Sequence, residues 1–353
     1  MSIICKQNSS EMSTTSDDLD FDIQEFADEG LKKPSRQAYK QSYMKFISFA
    51  NSKGYAFETR GPAMDDKLVC SYLGSLKESK TKRGASGIEK IGSAGVGERL
   101  ISAIRSRCPS VDLPFSTKFL RKWRKQNRPF RTEAMPFSKP HVLALIGLAI
   151  TRAQFRRALL YTSLWLAWLR VSEGLSLTTQ SISWRKHEGK RNLVFTLHDT
   201  KTQHAEAVNC GDDSETFVTL FDCLLQKVEG EGHGMTTRFG PAKKLFPWSS
   251  STVRSFLRTD AATVGIKAVL NSRISTHSFR RGGASEAYYN KVGLLEIKLR
   301  GRWRSEKSLE IYIRDSHLLL ANSSTDSRGM EFLCTKARSY ISDFKTQSVS
   351  LAR

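Results

Sequence analysis

From Ser9 to Asp22 large apolar residues are sparse and Ser, Thr and Asp dominate, and at Pro34 the pattern changes. The Ser9 to Asp22 segment cannot offset its own ordering entropy, and residues 1–33 are expected to form an acidic mobile tail, in which Phe21 to Ala27 is a stretch able to dock as a short helix. Beyond it, Tyr39, Tyr43, Phe46, Ile47 and Ala50 recur at the spacing of one helix face, with Ser35 placed as a cap and Gly54 as a stop. Further helices are expected over Asp65 to Leu76, near Ser93 to Ser106 and over Thr117 to Gln126, with Gly, Ser and Pro between them. A small all-helical domain over residues 34–131 fits this pattern.

Thr132 to Ser138 holds Pro136 and reads as a linker, while Ser138 followed by Pro140 is a helix start signal. Val142 to Ile150 and Ala158 to Leu169 are strongly apolar helices. Asn192 to Leu197 and Ala205 to Val208 read as two short strands joined by the turn His198 to His204. The chain then returns to helices, and His317 to Ala321 and Met330 to Phe344 keep roughly helical spacing on either side of the Ser-rich Asn322 to Gly329. The expected fold is mainly α with a small β-hairpin or sheet, in two domains over 34–131 and 139–320 with a C-terminal tail over 321–353. No internal repeat is visible.

Composition narrows the partners. The net charge is +21, yet residues 1–30 carry eight acidic groups against Lys6 alone, a net of −7 that leaves +28 on the remainder. Charge of that size on a folded body favours a polyanion, and DNA phosphate neutralises it with release of counterions. The alternative is a solvated basic surface, as on ribosome-associated or membrane-surface proteins, and charge alone makes nucleic acid the favoured partner and no more. Lys118, Arg121, Lys122, Arg124, Lys125 and Arg128 surround Trp123, and with the Lys- and Gly-rich Lys77 to Lys90 they are candidates for phosphate contact. No apolar run reaches membrane-spanning length, and Met1 to Ser10 lacks the basic and apolar regions of a secretory signal, so an intracellular location is expected. Cys5, Cys70, Cys108, Cys210, Cys223 and Cys334 form no C-x-x-C pair and stand at no zinc-finger spacing, which points to reduced thiols and no bound metal.

Five features in the second domain bear on chemistry. Arg170 ends the apolar run LLYTSLWLAWLR, with Glu173 three residues on to hold its guanidinium. Lys201 sits in the turn HDTKTQH. In THSFRRGGASEAY, His277 and Arg280 share one helix face, Arg281 points elsewhere, and Gly282 and Gly283 permit close packing. Trp303 in GRWRS brings an indole N–H that needs a partner if buried, and Tyr312 in LEIYIRDS follows it by nine positions. Taken singly, each fits an ordinary structural role.

As an ordered set, Arg170 with Glu173, Lys201 in a hairpin turn, His277-x-x-Arg280, Trp303 and Tyr312 resembles the active site of the tyrosine recombinases of the phage-integrase family. The resemblance spans about residues 160 to 315. Its most specific part is spacing, 23 positions from Arg280 to Trp303 and nine more to Tyr312, which is similar to the Cre pattern, as are the TKT turn and the YIR ending. Trp303 stands where most phage integrases have His. HSFRRGGAS departs from the HxLRH of many bacterial members and resembles recombinases of eukaryotic mobile elements such as Cryptons and DIRS-like retrotransposons.

The resemblance implies an N-terminal helical, SAM-like core-binding domain and an α+β catalytic domain closing as a C-shaped clamp on double-stranded DNA. It implies Tyr312 as nucleophile, Arg170 and Arg280 on the phosphate, Lys201 as general acid, His277 and Trp303 as further phosphate partners and Glu173 as their orienter. No cofactor, metal or ATP is implied. The expected assembly is a homotetramer in the synaptic complex and a monomer or weak oligomer without DNA, with no membrane partner. The C-terminal helix would be either exchanged between protomers or packed in cis. The location would be nuclear in a eukaryote and cytoplasm or nucleoid in a bacterium or phage. Integration or excision of a mobile element is the reaction this suggests. The rivals are a captured, non-catalytic DNA-binding protein with the same fold and a type IB topoisomerase, which shares much of the chemistry.

Overall fold

The structure is a computed structural model that describes residues 33–57, 62–82, 89–91, 93–126, 133–187, 190–198, 206–210, 215–231, 242–269, 272–313 and 327–351. The stretch 1–32, Arg128, Lys201 and His317 to Ala321 lie outside the described residues. The chain divides into two compact units after Phe130.

The first unit holds helices α1 (Lys33–Ser52), α2 (Pro62–Glu78), α3 (Ala94–Arg107) and α4 (Pro114–Gln126), with an antiparallel pair β1 (Lys80–Lys82) and β2 (Glu89–Ile91) between α2 and α3. α1 starts at Lys33, before the expected cap Ser35, and the short strand pair falls where only a basic segment was expected. The apolar stripes meet in one core that includes Phe46, Leu73, Leu100, Ile104 and Trp123. Asp66 of α2, itself buried, accepts from the Phe115 and Ser116 N–H groups at 2.6 and 2.9 Å, so α2 caps α4 and the negative charge meets the positive end of that helix. Ser116, Leu120 and Trp123 face inward, which leaves Lys118, Arg121, Lys122, Arg124 and Lys125 exposed on the outer face of α4.

In the second unit, residues 133–138 are not a free linker. Glu133–Ala134 form β3, paired in parallel with β7 (Ser272–Arg273), and Met135 and Phe137 are fully buried. The linker composition misled because its apolar residues are a docking surface rather than punctuation. α5 (Lys139–Thr151) is buried from His141 to Ala149, as a helix apolar all round must be. α6 (Phe155–Leu166) packs beside it, with Tyr161 stacked on Phe279 and Trp165 against Phe217. The expected hairpin is a three-stranded antiparallel sheet, β4 (Ile182–His187), β5 (Lys190–Leu197) and β6 (Glu206–Asn209), in that order. β4 was missed because Trp184, Arg185, Lys186 and His187 show no apolar alternation.

α7 (Val171–Ser176), α8 (Glu215–Glu231), α9 (Ser250–Val264), α10 (His277–Tyr289), α11 (Leu294–Arg300) and α12 (Glu306–Glu310) follow, and α13 (Ser327–Leu351) closes the unit. α13 lies on α5 of its own chain with Met330, Cys334 and Ala337 in the shared core. A Cβ at Gly147 would come within 1.9 Å of the Leu333 carbonyl oxygen, so glycine sets how closely these helices approach. Among the described residues no helix is long and apolar enough to cross a membrane.

Candidate active site

Helix α6 stops at Leu166, short of the expected Leu169, because Trp168 turns into the left-handed region with φ +45°. That turn has two consequences. The Trp168 indole comes so close to α10 that a Cβ at Gly283 would meet its Nε1 at 2.1 Å, and the Trp168 carbonyl faces inward as an acceptor. Gly282 is equally constrained, since a Cβ there would meet the Phe137 carbonyl oxygen at 1.8 Å. The Gly-Gly pair therefore seats α10 between β3's continuation and Trp168.

Arg170 follows as the N-cap of α7, and Glu173 reaches back to it: the Arg170 backbone N–H donates to Glu173 Oε2 at 2.8 Å and its Nη1 donates to Oε1. Glu173 is buried, while the Arg170 side chain stays partly exposed. Arg280, one turn into α10 and fully buried, donates from Nη1 to the Trp168 carbonyl at 2.7 Å and from Nη2 to the Gly301 carbonyl. Its Nη1 stays 3.9 Å from Glu173 Oε2. Burial, then Arg302 and Arg170, lower the Arg280 pKa against the opposing pull of Glu173 and Tyr312. Burial alone would raise Glu173, but Arg302, the Arg170 N–H and the Arg170 and Arg280 charges outweigh it and hold the carboxyl below 4.5.

Trp303 covers Arg280 with its ring centroid 4.6 Å from the guanidinium carbon, and the Tyr312 ring lies 6.0 Å from the same atom and 5.0 Å from the Trp303 ring. Tyr312 is partly buried, its carbonyl held by Ser285 Oγ at 2.9 Å. His277 begins α10 on the exposed side, one turn before Arg280. Partial desolvation, then Arg280, Arg170 and Arg273, lower its pKa below 6.5, against Glu173. Arg281 points away to Glu133 and the Ala134 carbonyl.

The fold that carries this cluster has a precedent. The XerH site-specific recombinase bound to a palindromic difH substrate, in a post-cleavage complex, superposes with a TM-score of 0.51 at 13% identity over 82% of this chain and 78% of that one. The chain has the tyrosine-recombinase fold. The pre-cleavage XerH–difH complex (TM-score 0.49, 14% identity, 82% and 79% covered) and XerA recombinase (0.41, 17%, 85% and 95%) are also similar. No family model and no curated protein matches the sequence.

On this recombinase fold, Arg170, Glu173, His277, Arg280, Trp303 and Tyr312 come together from α7, α10 and the segments after α6, α11 and α12. Two participants escaped the sequence. Trp168 looked like one more apolar residue of its helix. Arg302 stands beside Trp303 in the same GRWRS motif, yet it donates to Glu173 Oε2 at 2.8 Å from inside the cluster. Its flanking glycine and tryptophan were a signal for a tight turn and for nothing more.

Proposed function

We propose that this protein is a site-specific DNA recombinase that cuts and rejoins double-stranded DNA through a 3′-phosphotyrosyl bond to Tyr312. The observation that carries the proposal is the meeting of Tyr312, Trp303 and the buried Arg280 within 6.0 Å beside the Arg170–Glu173 pair. Transition-state charge on a pentacoordinate phosphorus calls for fixed cationic donors, and Arg170 and Arg280 are held in place by a carboxylate and by carbonyls.

Tyr312 Oη attacks phosphorus, the P–O5′ bond breaks, and a 5′-hydroxyl leaves. The tyrosine proton passes to His277, whose lowered pKa keeps the imidazole neutral and able to accept it. Lys201, assigned from the sequence, gives a proton to the 5′-oxygen, and the Trp303 indole N–H serves a non-bridging oxygen. Attack by a 5′-hydroxyl from a second duplex reverses the step, and the phosphotyrosine conserves the bond energy. The exposed basic face of α4 contacts backbone phosphate. Four protomers assemble on two duplexes, and integration or excision of a mobile element is the reaction served.

The test starts from duplexes selected by binding from a random pool, nicked near the selected site and incubated with the protein. Wild type should give a covalent adduct on a denaturing gel, and Tyr312→Phe should give none while shifting the same duplexes in a native gel. Adducts surviving in Tyr312→Phe would move the nucleophile elsewhere. Binding with no adduct from wild type would favour the captured, non-catalytic alternative, and relaxation of a plasmid without exchange would favour a topoisomerase.

A further inference from the structure

Arg302 is nearly buried, has φ +55° where a side chain rarely settles, and makes more polar contacts than any turn requires. Nη2 donates to Glu173 Oε2 at 2.8 Å, Nη1 to the Ala167 carbonyl at 3.1 Å, and Nε stands 3.3 Å from Glu206 Oε2 at the start of β6. Three guanidiniums thus face one buried carboxylate. Arg170 takes Oε1 with Nη1, and Oε2 is shared between the Arg170 backbone N–H and Arg302 Nη2, which leaves Arg280 at 3.9 Å and directed by the Trp168 and Gly301 carbonyls instead.

A buried carboxylate oxygen that loses one of its two donors draws in the nearest cation, because an under-satisfied charge there is costly. We propose that Arg302 is a positioning residue: it saturates Glu173 so that Arg280 is not drawn into a closed ion pair and keeps its orientation for a DNA phosphate. The proposal rests on the recombinase reading for the phosphate, and on geometry alone for the saturation. Glu206 holds Arg302 from the other side and so links the end of the β5–β6 connection, in which Lys201 lies by sequence, to the arginine cluster.

Arg302→Gly tests this cleanly, since glycine accepts the left-handed backbone and removes the side chain alone. In its crystal structure Glu173 Oε2 should close on Arg280 Nη1 to about 3 Å, an ordinary hydrogen-bond distance. A separation still near 3.9 Å would overturn the proposal. Adduct formation should fall on the order of 100-fold in Arg302→Gly, and much less when the same change is made in Glu173→Gln, where no carboxylate remains to capture Arg280. An equal loss in both backgrounds means that Arg302 acts by another route. If wild type forms no adduct, the recombinase reading fails while the crystallographic distance still decides the pairing.

Discussion

At the scale of single residues, the site rests on a balance of charge around the buried Glu173 and Arg280. Glu173 stays ionised because arginines outweigh its burial, and partial desolvation, followed by the same arginines, holds the His277 pKa below 6.5. The sign of the second effect gives a prediction. A base with a pKa below 6.5 stays competent as pH falls through 6.5 and is lost only at lower pH, so the acid limb of the adduct-formation profile should lie below 6.5 and move or vanish in His277→Gln. Single-turnover rates between pH 5 and 8 measure this, and an acid limb unchanged by the substitution removes His277 as the proton acceptor.

At the scale of elements, caps and close approaches place these residues. Ser138 and His141 open α5, with His141 Nδ1 accepting from the Ser138 N–H at 3.1 Å and facing its Oγ at 2.9 Å. Burial lowers the His141 pKa from 6.5 to about 4. The unfolded chain therefore takes up a proton between those values that the folded helix start refuses, and stability falls with pH across that window by roughly 3 kcal/mol. Melting temperatures at pH 7 and 5 should show the loss, and His141→Asn, which keeps an acceptor without the titration, should flatten it. A wild type whose stability is level from pH 7 to 5 would contradict this account. The helix pattern and the Ser138 start were legible because they are local. The end of α6 at Leu166 was not, since Trp168 is turned by packing against Gly283.

At the scale of the whole molecule, the excess of positive charge and the outward basic face of α4 bear on the same partner. Each phosphate contact releases counterions, so log affinity should fall linearly with log salt at a slope of about −0.9 per contact. Replacing Lys118, Arg121, Lys122 and Lys125 with Ala should flatten that slope by about 3 to 4 across all duplexes. Fluorescence anisotropy from 50 to 300 mM salt reads this directly, on the order of the range where such binding titrates. A slope equal to that of wild type would exclude this face from DNA. Trp123 and Leu120 keep the helix seated meanwhile, because none of the four side chains belongs to the buried stripe.

Sequence alone determined which residues could do chemistry, because type, order and the spacing of His277, Arg280, Trp303 and Tyr312 are properties of the chain. It determined most helices as well, since a 3.6-residue period is written locally. Tertiary structure decided what depends on distant segments meeting: the third strand, the docking of residues 133–138, and above all the sharing of Glu173 between Arg170 and Arg302. No local pattern marks Arg302, because its role is set by a carboxylate 129 positions away. Burial makes that pairing matter, and burial exists only once the chain has folded.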